Sequence, residues 1–144
     1  MERRKFVKQC CIGSLAIPIG SSILTSCVGM HYATATEKGN IISIPKSEFV
    51  ILNPKGNKQR KFVLVKSSRF SFPIGIVPNG NHYTASLMKC THRGCELNIG
   101  GGIYSCPCHG SEFTLEGQVL QGPAIDALTT FEIETDDDTI YIKL

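Results

Sequence analysis

The chain has 144 residues, with 15 Lys and Arg against 12 Asp and Glu, a formal charge of +3, seven Cys and no Trp. That length holds one domain, with roughly 25–30 residues to spare at the N-terminus. Four of the basic residues and one acid fall in residues 1–27, leaving eleven of each sign in residues 28–144, a near-neutral total that does not suggest a nucleic-acid-binding domain.

Arg3-Arg4-Lys5-Phe6-Val7-Lys8 forms a basic n-region that resembles the twin-arginine export signal. An apolar stretch follows from Cys10 to Leu24, broken by Pro18 and Gly20. Leu24-Thr25-Ser26-Cys27 then resembles a bacterial lipobox, with Cys27 as the residue to be lipidated and to become the mature N-terminus. Signal-peptide h-regions are short and end in small residues, which favours cleavage here. The alternative is an uncleaved membrane helix, for which residues 10–27 are slightly short against the about 20 apolar residues a span requires. Both readings export the protein and attach it to a membrane, in the bacterial periplasm or on the outer face of the cytoplasmic membrane.

Residues 28–40 show no clear period and read as a tether, so the expected organisation is a signal segment (1–27), a tether (28–40) and one domain (41–144). Short β-like runs separated by turn residues follow, the pattern of an all-β sandwich or barrel. The predicted strands are Ile41–Ile44, Glu48–Leu52, Lys61–Lys66, Pro73–Val77, His82–Met88, Thr130–Thr135 and Thr139–Ile142. Asn53-Pro54-Lys55-Gly56-Asn57 is a strong turn signal. Asn79-Gly80, within Pro78-Asn79-Gly80-Asn81, favours a two-residue hairpin turn. Glu96–Asn98 and Ile103–Ser105, around Gly100-Gly101-Gly102, predict a small hairpin. His82 and His31 are expected to be solvated. No segment beyond the leader has helical periodicity, and there are no internal repeats.

The chemistry is concentrated in two loops, about residues 90–111. Cys90-Thr91-His92-Arg93-Gly94-Cys95 is followed ten residues later by Cys106-Pro107-Cys108-His109-Gly110-Ser111. Each loop holds one Cys and one His at ligand spacing, plus a spare Cys. A tetrahedral Cys2His2 zinc module has the same donor types. It leaves unexplained Gly94-Cys95, the Cys-Pro-Cys arrangement and Gly110-Ser111. Two thiolates and two imidazoles also suit a 2Fe–2S cluster with one all-sulfur iron and one iron bearing two nitrogens. On these motifs the chain resembles the Rieske family, in its disulfide-containing branch, which supplies the iron–sulfur subunit of cytochrome bc-type quinol:cytochrome c reductase complexes. The resemblance is specific over about residues 85–125.

The resemblance implies an all-β, antiparallel Rieske-like sandwich with an inserted small cluster-binding subdomain. It implies one Rieske-type 2Fe–2S cluster, with Cys90 and Cys106 on the inner iron and His92 and His109 on the outer iron. It also implies a disulfide between Cys95 and Cys108, where two free buried thiols would be the alternative. From spacing alone the four loop Cys could pair in three ways. Loading the cluster before export protects Cys90 and Cys106, which is a physical reason for a folded-protein export route. Ser111 matches the family serine whose hydroxyl donates to a bridging sulfide. Gly122-Pro123-Ala124 matches the family's proline loop, though such pairs also form ordinary turns.

Two positions depart from the quinol-oxidising pattern. Phe113 stands where Tyr is common, forfeiting a hydrogen bond to a ligand sulfur. Arg93 stands where Leu is usual at the exposed tip, and its fixed, always-charged guanidinium does not suit an apolar quinol pocket. The expected function is one-electron transfer at an exported membrane surface, as an electron-transfer subunit rather than a complete enzyme. The leading role is the iron–sulfur subunit of a quinol:cytochrome c reductase-like complex, with His109 contacting quinol. Its partners would be a cytochrome b or other redox subunit, a cytochrome c-like acceptor, and the membrane through the N-terminal anchor. The alternative is a stand-alone lipid-anchored carrier, or the small Rieske subunit of another exported oxidoreductase such as a molybdenum enzyme.

Overall fold

The computed structural model describes residues 29–144. The signal-segment and Cys27 expectations lie outside them. Their strands, in chain order, are β1 (Thr36–Lys38), β2 (Ile41–Pro45), β3 (Val50–Ile51), β4 (Lys58–Gln59), β5 (Val63–Val65), β6 (Ile74–Asn79) and β7 (His82–Leu87). They continue as β8 (Asn98–Gly100), β9 (Ile103–Ser105), β10 (Glu112–Thr114), β11 (Val119–Gln121), β12 (Glu132–Thr135) and β13 (Thr139–Lys143). All strand pairs are antiparallel. Among the described residues no helix is long and apolar enough to cross a membrane.

One sheet has the order β1-β2-β13-β12 and another the order β5-β6-β7. Alternation puts Ile42 and Ile44 of β2 and Ile140 and Ile142 of β13 on the inner face of the first. They meet Val63, Val65, Ile74, Ile76, Ala85 and Leu87 of the second in one core. Backbone bonds close both edges of this sandwich. Leu87 N–H donates to Thr129 O at 2.8 Å and Phe131 N–H to Ala85 O at 3.0 Å. On the other side Ala33 N–H donates to Leu64 O at 2.8 Å, and Leu64 N–H to His31 O at 2.9 Å.

The segment read as a tether is therefore part of the fold from His31 onward, because its backbone completes two sheets. His31 is only partly solvated, with its side chain 31 % exposed and held by a carboxylate. Its Nε2 lies 2.6 Å from Glu48 Oε2, and Thr34 N–H donates to Glu48 Oε1 at 3.1 Å. Burial pushes the Glu48 carboxyl up, but the His31 ring and the Thr34 donors outweigh it and hold it below the ordinary 4.5. His82, by contrast, is exposed.

The β5-β6-β7 sheet is covered on its second face as well. Leu64 and Val77 point away from the sandwich into another core with Met88, Leu97, Tyr104, Phe113, Ala124 and Leu128. That core lies beneath a four-stranded sheet of order β11-β10-β9-β8, the inserted small subdomain. Gly75 in β6 permits the close approach. A Cβ there would lie 2.8 Å from Met88 Sδ and 3.4 Å from the Tyr104 ring.

Three local expectations shift. The predicted strand Glu48–Leu52 divides into a 3-10 turn, Lys46–Phe49, and β3, because Phe49 turns into the core at 2 % exposure while Val50 and Ile51 face outward. The β6–β7 hairpin turns on Gly80-Asn81, since Asn79 is already paired with His82. Strands β10 and β11 were not expected; they are short, with a bulge between Glu112 and Phe113.

Candidate metal centre

The second loop joins the antiparallel pair β9 and β10, whereas the first joins β7 to β8, which lie in different sheets. Lys89 and Glu96 bridge beneath the first, and Ser105 pairs with Glu112 beneath the second. Both loops use one backbone frame. In the first, Cys90 N–H donates to Cys95 O and Gly94 N–H to Cys90 O, each at 2.8 Å. In the second, Cys106 N–H donates to Ser111 O at 2.8 Å and Gly110 N–H to Cys106 O at 3.0 Å. Gly94 and Gly110 occupy the same place, with φ of +75° and +78°, where a side chain would be strained.

Cys95 and Cys108 form a disulfide with a Cα–Cα separation of 6.5 Å, fastening one loop to the other. Cys90 and Cys106 are free and buried. The sulfurs of Cys95, Cys106 and Cys108 lie within 4.8 Å of one another. Two of these three are the disulfide and offer no thiolate, so this grouping records how closely the disulfide abuts Cys106. Burial pushes the Cys106 thiol up, yet the Cys108 N–H, the Cys90 thiol and the His109 N–H hold it below its ordinary value. That is an environment that stabilises thiolate.

The His92 and His109 rings meet edge to face, with centroids 4.9 Å apart. His92 Nδ1 is buried without a hydrogen-bond partner. An orphaned ring nitrogen of this kind is costly unless something else satisfies it, as a metal would. His109 and Arg93 are exposed. A 460 Å³ cavity beside the first loop is lined in part by His92, Arg93 and Asp126.

The stretch 121–126 forms a third wall. The Gly122–Pro123 peptide bond is cis. Ala124 N–H donates to Ser111 Oγ at 3.0 Å, so the serine hydroxyl accepts one bond and its own hydrogen remains available. Gln121 Nε2 donates to Gly110 O at 3.1 Å, and Thr91 Oγ1 donates to Asp126 O at 2.7 Å. Gln121, Thr91 and Asp126 were not singled out from sequence. Phe113 is fully buried beneath the second loop, paired with Tyr104.

An all-β sandwich presenting two Cys- and His-bearing loops on an inserted subdomain has the layout and donor types of an iron–sulfur electron-transfer domain. The family model of the Rieske [2Fe-2S] domain matches residues 53–132, and the chain belongs to that family. Two curated relatives are cytochrome b6-f complex iron-sulfur subunits of Prochlorococcus marinus. That of strain MIT 9211 is 42 % identical over 56 residues, 38 % of this chain and 32 % of the relative. That of strain MIT 9515 is 39 % identical over the same length. The match thus spans about a third of those relatives (32 %). Among solved structures, the cyanobacterial plasma membrane Rieske protein PetC3 from Synechocystis PCC 6803 is 36 % identical with a TM-score of 0.53, covering 58 % of this chain and 87 % of that one. The cofactor is one Rieske-type 2Fe–2S cluster, and the chemistry is one-electron transfer. Two buried thiols, an orphaned imidazole nitrogen and a second imidazole beside it fit that group.

Proposed function

We propose that this chain passes single electrons at an exported membrane surface, as the iron–sulfur subunit of a quinol:cytochrome c reductase-like complex. In this reading Cys90 and Cys106 hold the inner iron, and His92 and His109 the outer iron. The supporting observation is the pair of identically framed loops, each offering a buried thiol, with imidazole rings 4.9 Å apart. Bound there, the cluster takes up and releases one electron at a time. The disulfide holds the loops at a fixed separation, and Ser111 ties the second loop to the Ala124 wall, which keeps water from that side. Ser111 directs its hydroxyl hydrogen to the cluster. His109, exposed, accepts a hydrogen bond from quinol on its outward ring nitrogen and takes the proton there. Residues 1–27 direct export, Cys27 carries the lipid, and the partners are a cytochrome b or other redox subunit and a cytochrome c-like acceptor.

Protein purified with its anchor should hold about two irons and two labile sulfides and give a Rieske EPR signal when reduced. His92→Ala or Cys106→Ser should abolish the signal. Zinc in iron's place, from cells with intact cluster assembly, would overturn the ligand reading. Co-purification of a cytochrome b tests the complex.

Arg93 favours a second reading, a lipid-anchored carrier or the small Rieske subunit of another exported oxidoreductase, for example a molybdenum enzyme. It sets an exposed cation beside His92, where an apolar quinol pocket would have to desolvate it. Co-purification of a molybdenum subunit, or of no partner, would favour this reading.

A further inference from the structure

Charge is sharply segregated along the domain. Residues 49–95 contain eight Lys and Arg and no Asp or Glu, whereas residues 96–144 contain nine acids and only Lys143. Four of the eight cations, Lys55, Lys58, Arg60 and Lys61, lie in or beside the β3–β4 ribbon, and none pairs with a carboxylate of the described residues. The ribbon is a separate two-stranded unit, rooted by buried Phe49 and by Arg60 N–H donating to Phe49 O at 2.7 Å. Beyond that root it turns apolar side chains outward. Leu52 is 83 % exposed, Val50 40 % and Ile51 39 %.

The described chain begins at the same place. Gly29 and Met30 line a 570 Å³ groove with Ile51 and Arg60, and Met30 is half exposed. An adjoining 590 Å³ groove shares Gln59–Phe62 and reaches Gly101 and Leu115. Gly101 is the turn of the β8–β9 hairpin, whose other end carries Cys95 and Cys106. Leu115 likewise follows β10, which runs from Ser111 away from the second loop. The ribbon and the chain entry therefore lie at the end of the subdomain remote from the ligand loops, separated from them by about 13 Å of strand.

We propose that the β3–β4 ribbon rests on an anionic lipid surface, with Leu52, Ile51 and Met30 in the headgroup boundary and the four cations on lipid phosphates, which turns the ligand loops away from the bilayer. Exposed apolar side chains interleaved with unpaired cations are the composition of an interfacial contact. The described chain begins at Gly29 beside this face, so an anchor joined to it there would bring the face to the bilayer. The inference rests on the membrane attachment proposed above. It assigns that attachment an orientation that presents the loops to a water-soluble acceptor, the lipid-anchored carrier arrangement that Arg93 favours, rather than to quinol in the bilayer.

The chain lacks Trp, so one introduced Trp reports one site. The cluster-loaded full chain, extracted from membranes, would be reconstituted with Leu52→Trp or with Ile125→Trp, the latter at an 89 % exposed residue beside the ligand loops. Vesicles of phosphatidylcholine with phosphatidylglycerol, some carrying brominated acyl chains, give the readout, and co-sedimentation gives attachment. Leu52→Trp should be blue-shifted and quenched by brominated lipid, and Ile125→Trp should be neither. Adding Lys58→Gln with Lys61→Gln should lower the docked-to-undocked ratio roughly 30-fold. Protein that sediments with vesicles but leaves Leu52→Trp unquenched, or quenches both reporters equally, overturns this orientation and leaves attachment standing. Protein that stays in solution overturns both. A blue shift without lipid, or one that grows with protein concentration, gives the face to the chain's own leader or to a second copy and also overturns the proposal.

Discussion

Ser111→Ala separates what the Ser111 hydroxyl does for the wall from what it does for the cluster. Ser111 is fully buried, and its Oγ is the acceptor for Ala124 N–H at 3.0 Å. Ala124 is itself only 3 % exposed, so water does not readily replace the lost oxygen. Leaving that N–H unpaired costs about 1–3 kcal/mol. For a domain of this size each kcal/mol moves Tm by about 4–8 °C, so Tm should fall by roughly 4–24 °C. The hydroxyl hydrogen, on the proposed ligand set, points to the cluster, where a donor favours the more negative reduced state. A hydrogen bond to a charged group is worth about 1.5–3 kcal/mol. At about 1.4 kcal/mol per 59 mV, the potential should drop by up to roughly 60–130 mV. Calorimetry and voltammetry on protein with matched iron content read the two effects separately. A lower Tm with an unchanged potential would refute the donor role, and an unchanged Tm would refute the wall account.

Cys95→Ser should retain iron at first but lose about 2–5 kcal/mol of stability, seen as faster bleaching of the cluster absorption in denaturant; bleaching at the wild-type rate would contradict it. Gly75→Ala forces a Cβ to 2.8 Å from Met88 Sδ and should cost about 1–3 kcal/mol through overpacking, measured by urea unfolding. Glu48 has a lowered folded pKa, so its contribution is present above its unfolded value and is lost as pH falls through the folded one. Hydrogen exchange at the Ala33 and Leu64 amides should therefore be slower in wild type than in Glu48→Gln at neutral pH, and the two should converge well below 4.5. A gap that persisted in strong acid would show that the carboxylate is not what fastens the N-terminal segment.

The outer sheet was legible because its residues alternate. Ile42, Ile44, Ile140 and Ile142 follow the period-2 pattern of a strand with one buried face. Val63-Leu64-Val65 shows no such alternation, because both faces are covered, and nothing in the run tells which residue serves which core. The strand β10 escaped notice for a different reason. Three residues with one apolar member, Phe113, are too few to establish a period. The ligand loops were legible as a donor set, whereas spacing left three cysteine pairings open and only the family pattern selected one. The matching Cys-x-x-x-Gly steps at Cys90–Gly94 and Cys106–Gly110 were a signal for the common backbone frame. The tether reading failed because residues 31–38 gain their order from Leu64, Glu48 and β2, partners no local window contains.

The central β5-β6-β7 sheet has a consequence for how the protein can be divided. Neighbouring residues of a single strand, Val63 and Leu64 or Ile76 and Val77, belong to different cores. A one-residue slip would exchange the two sets at once, so each core fixes the register on which the other depends. Cutting out the loop-bearing subdomain would strip cover from Leu64 and Val77, and the remaining sandwich would expose that face. The electron-transfer tip is not a detachable module, and transplanting it into another scaffold would require carrying the whole middle sheet along.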